Sequence, residues 1–163
     1  MKGKEILRGR TGFPGRVVGT VRIVDKDVEK MAKLSKGEIM VALRTTPDHE
    51  IYMKKAAAII TDVGGVTSHP AIVAREFGIP AVVGTVEGTT VLKDGQKVVV
   101  EGLAGYEDAK DPETGEIYKR PYGAVYEYVP EPPSLVSKMQ KLAEQRGIKG
   151  IPPELWKRLA KGE

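Results

Sequence analysis

The stretch IITDVGGVTSHPAIVAREFGIPAVVG, residues 59–84, reads as a strand, a glycine turn, a helix and a second strand in succession. The run AAAIIT that leads into it is a buried strand ending at Asp62 and the Gly64–Gly65 turn. Residues 70–77, PAIVAREF, form a helical segment that is apolar except at Arg75 and Glu76, as a largely buried helix requires. Its stop signal is complete: Gly78 can take the left-handed terminal position, Ile79 can fold back on the last turn, and Pro80 blocks continuation. AVVGT then resumes as a strand.

Outward from this centre, VVGTVRIVD (17–25) and EIMVAL (38–43) are short β-branched runs that read as strands, with a short helix or turn between them ending at Gly37. In TTPDHEIYMKKAAAIIT, Thr46 caps a helix with Pro47 at its first position. Asp48 and Glu50 face the positive end of its dipole, and Lys54 and Lys55 suit its close. Further strands are expected at 89–92, 97–101 and 123–129, with Asp94–Gly95 as a hairpin turn. The polar, turn-rich residues 104–121 read as a surface insertion. PEPP at 130–133 reads as a stiff linker, and two amphipathic segments follow it, SLVSKMQKLAEQR capped by Ser134 and PPELWKRLA. The expectation is an α/β fold over residues 1–129, followed by a linker and helical tail over 130–163, with Trp156 and the tail leucines docked on the parent domain.

Length and composition narrow the function. A chain of 163 residues can bury one substantial core but not two full catalytic domains. Its net charge of +4 comes from interleaved basic and acidic residues, which gives nucleic-acid binding little support. The absence of cysteine excludes disulfides and thiolate metal sites, and no apolar run is long enough for a signal peptide or a membrane span. A cytoplasmic location is expected, and abundant Lys and Glu lean toward a thermophilic source.

Of the two histidines, His69 stands between the Gly-Gly turn and the helix. Pro70 restricts the residue before it to extended geometry, which places His69 at the N-cap. There the unsatisfied N–H groups and the helix dipole favour an anion. The N–H groups of Ala71, Ile72 and Val73 and the hydroxyls of Thr67 and Ser68 are candidate donors, and Gly64 and Gly65 allow close backbone approach. A neutral imidazole is nucleophilic, and a phosphorylated ring nitrogen is a good leaving group, so such a histidine can both accept and donate a phosphoryl group.

These residues carry a resemblance. TDVGGVTSHPAIVAREFGIPAVVGT is similar to the phosphohistidine motif of the phosphoenolpyruvate-utilising enzymes: phosphoenolpyruvate synthase, pyruvate phosphate dikinase and the Enzyme I group. GFPGRVVGTVRIV, GEIMVALRTTPDHEIYMKKAAAIITD, LKDGQKVVVEG and GAVYEY extend it over residues 9–129. The resemblance implies a swivelling β/β/α phosphohistidine domain in which His69 is phosphorylated. Thr67 lies beside it at a regulatory hydroxyl position, and Gly64, Gly65 and Ser68 form the phosphate loop. It implies a phosphocarrier of a phosphoenolpyruvate synthase-like dikinase, handing the group to an acceptor such as pyruvate. The partners would be a nucleotide-binding, ATP-grasp-like domain and a phosphoenolpyruvate/pyruvate barrel domain on other chains, with Mg²⁺ and ATP or phosphoenolpyruvate held there and no cofactor or metal held here. By that reading the chain is not catalytically complete. The other readings are a stand-alone regulatory or binding module, and the carrier of a split synthase with a different acceptor.

Two departures stand out. Pro70 replaces a small residue bearing an N–H, and His49 replaces an aromatic residue after Pro-Asp. His49 is expected as a partly exposed residue at a helix start, Arg75 as an ion-pair partner of Asp62 or Glu76, and the acidic residues Glu107, Asp108, Asp111 and Glu113 as a solvated loop.

Overall fold

β-branched runs at 39–42 and 58–61 are buried at every position, as expected of strands covered on both faces. In the computed structural model, which describes residues 1–24 and 28–162, they are β3 (Ile39–Ala42) and β4 (Ala58–Thr61) of a closed seven-stranded barrel. The others are β1 (Lys2–Phe13), β2 (Arg16–Ile23), β5 (Ala81–Val83), β6 (Lys97–Lys110) and β7 (Ile117–Tyr128). Their order is β1-β5-β4-β3-β2-β6-β7. The pairs β2–β3, β3–β4 and β4–β5 are parallel, and the remaining pairs are antiparallel, with β7 returning to β1 to close the wall.

Strand alternation divides the core in two. Val21, Ile39, Val41, Ile60, Val82, Val98, Val100 and Val125 cluster inside the barrel. Met40, Ile59 and Ala81 point outward against the helices, where they meet Met31, Met53, Val73 and Ala74. These last four come from α1 (Val28–Ala32), α2 (Glu50–Met53) and α3 (His69–Phe77). Cutting a fully buried side chain such as Ile59 back to Ala would cost about 2–5 kcal/mol. The α3 stop is as expected: Gly78 is left-handed at φ 66, and both its N–H and that of Ile79 return to the Ala74 carbonyl.

Several elements differ from expectation. Residues 89–92 are not a strand; a short helix, α4 (Gly88–Val91), forms there because the Asp62 carboxylate accepts the Thr89 N–H, a tertiary cap that overrides β propensity. Asp94–Gly95 is no hairpin but a turn leading into β6, held by Gly95 N–H to Val21 O and by Ile23 N–H to Asp94 Oδ1. Glu107 and Asp108, expected in a solvated loop, lie instead on paired strands: within residues 104–121 the far arms of β6 and β7 pair from Gly105↔Tyr122 to Lys110↔Ile117. Strand β1, KGKEILRGRTGF, is not announced by the sequence, because its many charged residues mask the period. Asp25 and Asp27, read as the end of a strand and the start of a helix, lie outside the described residues, as does Glu163.

The chain divides into two compact units, Met1–Val129 and Pro130–Glu163. The second contains α5 (Leu135–Gln145), whose cap Ser134 accepts the Ser137 N–H at 3.1 Å, and α6 (Pro153–Ala160). Within it Trp156 is buried and lines a hollow with Gln140, Ala143, Ile148 and Ile151. No helix among the described residues is long and apolar enough to cross a membrane.

Candidate functional site

Residues 62–68 form the loop between β4 and α3, at the C-terminal ends of the parallel strands. Neighbouring loops brace it: Asp62 N–H bonds Ala42 O, Val63 N–H bonds Leu43 O, and Val86 N–H bonds Asp62 O. Among the described residues buried Asp62 has no cationic partner, but it accepts from Thr89 N–H at 2.9 Å and from the Thr89 hydroxyl. It is a tie between this loop and α4.

Ser68, not His69, is the N-cap of α3, at φ −73 and ψ 160. The reason is that the Ile72 N–H reaches the Ser68 carbonyl at 3.0 Å and starts the helical ladder there. His69 is then the first helical residue and Pro70 the second. Among the proposed donors Ile72 is spent inside the helix, and Val73 lies beyond the first turn's orphan N–H groups. His69 and Ala71 keep N–H groups with no intrahelical carbonyl to reach. The Ser68 hydroxyl donates to Gly65 O at 2.6 Å, while Thr67 is exposed.

Gly64 runs at φ +134, and a Cβ there would stand 2.7 Å from Ser68 Oγ. Gly65 faces open space, so close packing demands glycine at the first position only. Arg75 does not pair with Asp62 or Glu76; its guanidinium donates to the Val66 carbonyl and steadies the loop.

The residue missed from sequence is Thr45. Its Oγ1 lies 2.8 Å from His69 Nδ1 and so orients the ring. Nε2 of His69 is shielded from solvent and has no hydrogen-bond partner among the described residues. The signal was the Thr45–Thr46 pair before Pro47, since capping the turn needs only one threonine. His49 is also not where expected: it is 6% exposed, and its Nδ1 accepts the Thr46 N–H at 3.1 Å. Burial, its largest influence, pulls its pKa below the usual histidine value, and His69 adds to that while Asp48 opposes it. Among the described residues no group of three or more His, Asp or Glu is placed to hold a metal.

The arrangement is one oriented imidazole with an unpartnered nitrogen, beside the positive end of a helix. Residues 34–105 match the family described as PEP-utilising enzyme, mobile domain. A probable phosphoenolpyruvate synthase of Archaeoglobus fulgidus is 49% identical over 104 residues, covering 64% of this chain and 14% of the relative. The phosphoenolpyruvate synthase of Aeropyrum pernix is 48% identical over 104 residues, covering 64% and 13%. The chain therefore matches about a seventh of the length of these curated relatives. A solution structure of Enzyme I is 27% identical, covering 72% of this chain and 39% of that one, with a TM-score of 0.40.

Proposed function

We propose, from the match of residues 34–105 to the mobile domain of the phosphoenolpyruvate-utilising enzymes, that the chain carries a phosphoryl group on Nε2 of His69. The observation that supports it most is the Thr45 Oγ1 contact, which occupies Nδ1 and leaves Nε2 unpartnered. In the tautomer with the proton on Nδ1, the Nε2 lone pair attacks phosphorus and an N–P bond forms while the P–O bond to the donor's leaving group breaks. Thr45 Oγ1 accepts the Nδ1–H and stabilises the positive charge that the ring gains. The α3 dipole and the free N–H groups of its first turn favour the phosphoryl oxygens. The Thr67 and Ser68 hydroxyls and the Gly64–Gly65 backbone border the same loop. Because Nε2 is shielded, the ring must swing, or the 62–68 loop must open, to meet a donor.

The relatives' names point to phosphoenolpyruvate, and pyruvate is the acceptor of this reading. The donor and acceptor would be bound by partner domains, a nucleotide-grasp domain and a barrel domain, in the cytoplasm. Mg²⁺ held there with ATP or phosphoenolpyruvate would neutralise the transferring phosphate. The test is intact mass after incubation with phosphoenolpyruvate, or with ATP and cell extract. An acid-labile, base-stable phosphate is expected on the wild type and none on His69→Ala. Its absence from the wild type, or its persistence in the variant, rejects the carrier and favours a binding module.

A further inference from the structure

The chain's two histidines lie 20 positions apart in sequence, yet the fold brings them close enough for their charges to interact. The links between them are specific. His49 closes the 3₁₀ turn Pro47–His49 from both sides, its own N–H donating to Thr46 O at 2.9 Å and its Nδ1 accepting the Thr46 N–H at 3.1 Å. The next residue back, Thr45, holds Nδ1 of His69. One side chain therefore fixes the end of the same short segment whose other threonine aims the reactive ring.

A ring nitrogen that accepts a backbone N–H carries no proton of its own, so His49 is neutral with its proton on Nε2. The position is the third of a capping box, Thr46 to His49, where Glu or Gln usually supplies the acceptor. Those residues accept at any pH near neutrality; histidine does not. Once protonated, Nδ1 becomes a donor facing another donor, and a buried imidazolium has lost its partner. The Thr45–Thr46 segment then loses one of its two ties to His49 and keeps only the backbone bond from His49 N–H to Thr46 O.

We propose that His49 is a positioning residue for His69: its neutral ring locks the Thr45–Thr46 segment so that Thr45 Oγ1 aims the reactive imidazole, and its protonation releases that lock. The inference rests on the carrier reading of His69. Among the described residues, the titratable groups whose charges act on His49 are Asp48 on its own turn and His69 on α3. Their net effect with burial lowers its pKa, so the lock is complete at neutral pH and is lost as pH falls through a folded value below that of an ordinary histidine.

With only two imidazoles, long-range ¹H–¹⁵N spectra of the whole chain can assign both rings. The neutral His49 should show the proton on Nε2. Phosphoramidate serves as a partner-free phosphoryl donor, with ammonia as the leaving group, and the rate at His69 is followed by intact mass with fragmentation from pH 5 to 8. His49→Gln supplies an acceptor that does not titrate. It should keep the neutral-pH rate within about twofold and lose only the low-pH step that belongs to His49, retaining the fall caused by protonation of His69 itself. His49→Leu, lacking an acceptor, should be about tenfold slower at neutral pH, as a misplaced reacting group is. A His49 proton on Nδ1, or a Gln variant whose pH profile superimposes on the wild type, overturns the inference and leaves the carrier intact. No phosphorylation of wild-type His69 at any pH overturns the carrier reading, and the inference falls with it.

Discussion

A Cβ at Gly64 would stand 2.7 Å from Ser68 Oγ on a backbone at φ +134, whereas one at Gly65 would meet nothing within 4 Å. Gly64→Ala is therefore expected to lower stability by about 1–3 kcal/mol, and Gly65→Ala by less than about 0.5 kcal/mol, as thermal or urea unfolding will measure. Sequence alone makes the two glycines equivalent; only the path of the chain separates them. Thr45 is the complementary case. Val matches its shape but offers no acceptor, so Thr45→Val leaves the Nδ1–H of His69 unpaired and should slow phosphoramidate transfer about tenfold while stability changes by no more than about 1 kcal/mol. Equal rates in the two proteins would show that the 2.8 Å contact does not aim the ring.

At the scale of the element, α3 was legible because its signals are local: Ser, His and Pro at its start, Gly-Ile-Pro at its end, and an apolar body between. The β6–β7 arm was not, because a two-stranded ribbon beyond the barrel wall has no wholly buried face and shows no clean alternation. Tyr106, Ile117 and Tyr118 on it are exposed. Its base is fastened by Glu107, which pairs with Arg120 at 3.0 Å and with Arg8 of β1 at 3.5 Å. The family match ends at residue 105, where this arm begins. Replacing residues 106–121 with Asn-Gly would join Gly105 and Tyr122, already opposite each other, through a two-residue hairpin turn. The shortened protein is expected to melt cooperatively within about 5 °C of the full chain, a ΔΔG of roughly 1 kcal/mol. Loss of the cooperative transition in circular dichroism would show that the arm helps to close the barrel.

For the whole molecule, every residue of the three apolar clusters lies before Val129. Residues 1–129 are expected to fold cooperatively on their own, and the 130–163 segment, shorter than the ~40 residues an unassisted domain needs, to show only partial helicity in isolation. Circular dichroism of the two fragments checks both outcomes. The local sequence determined the α/β class, β3, β4 and α3, and the place of His69 at the start of α3, because periodicity, caps and prolines act over a few residues. Tertiary structure alone decided the closure of the barrel, the helix at 88–91, the threonine that aims His69 and the burial of His49. Each of these depends on groups far apart in the chain, whose pairing becomes favourable only when the barrel brings them together, and no short window of sequence contains both partners.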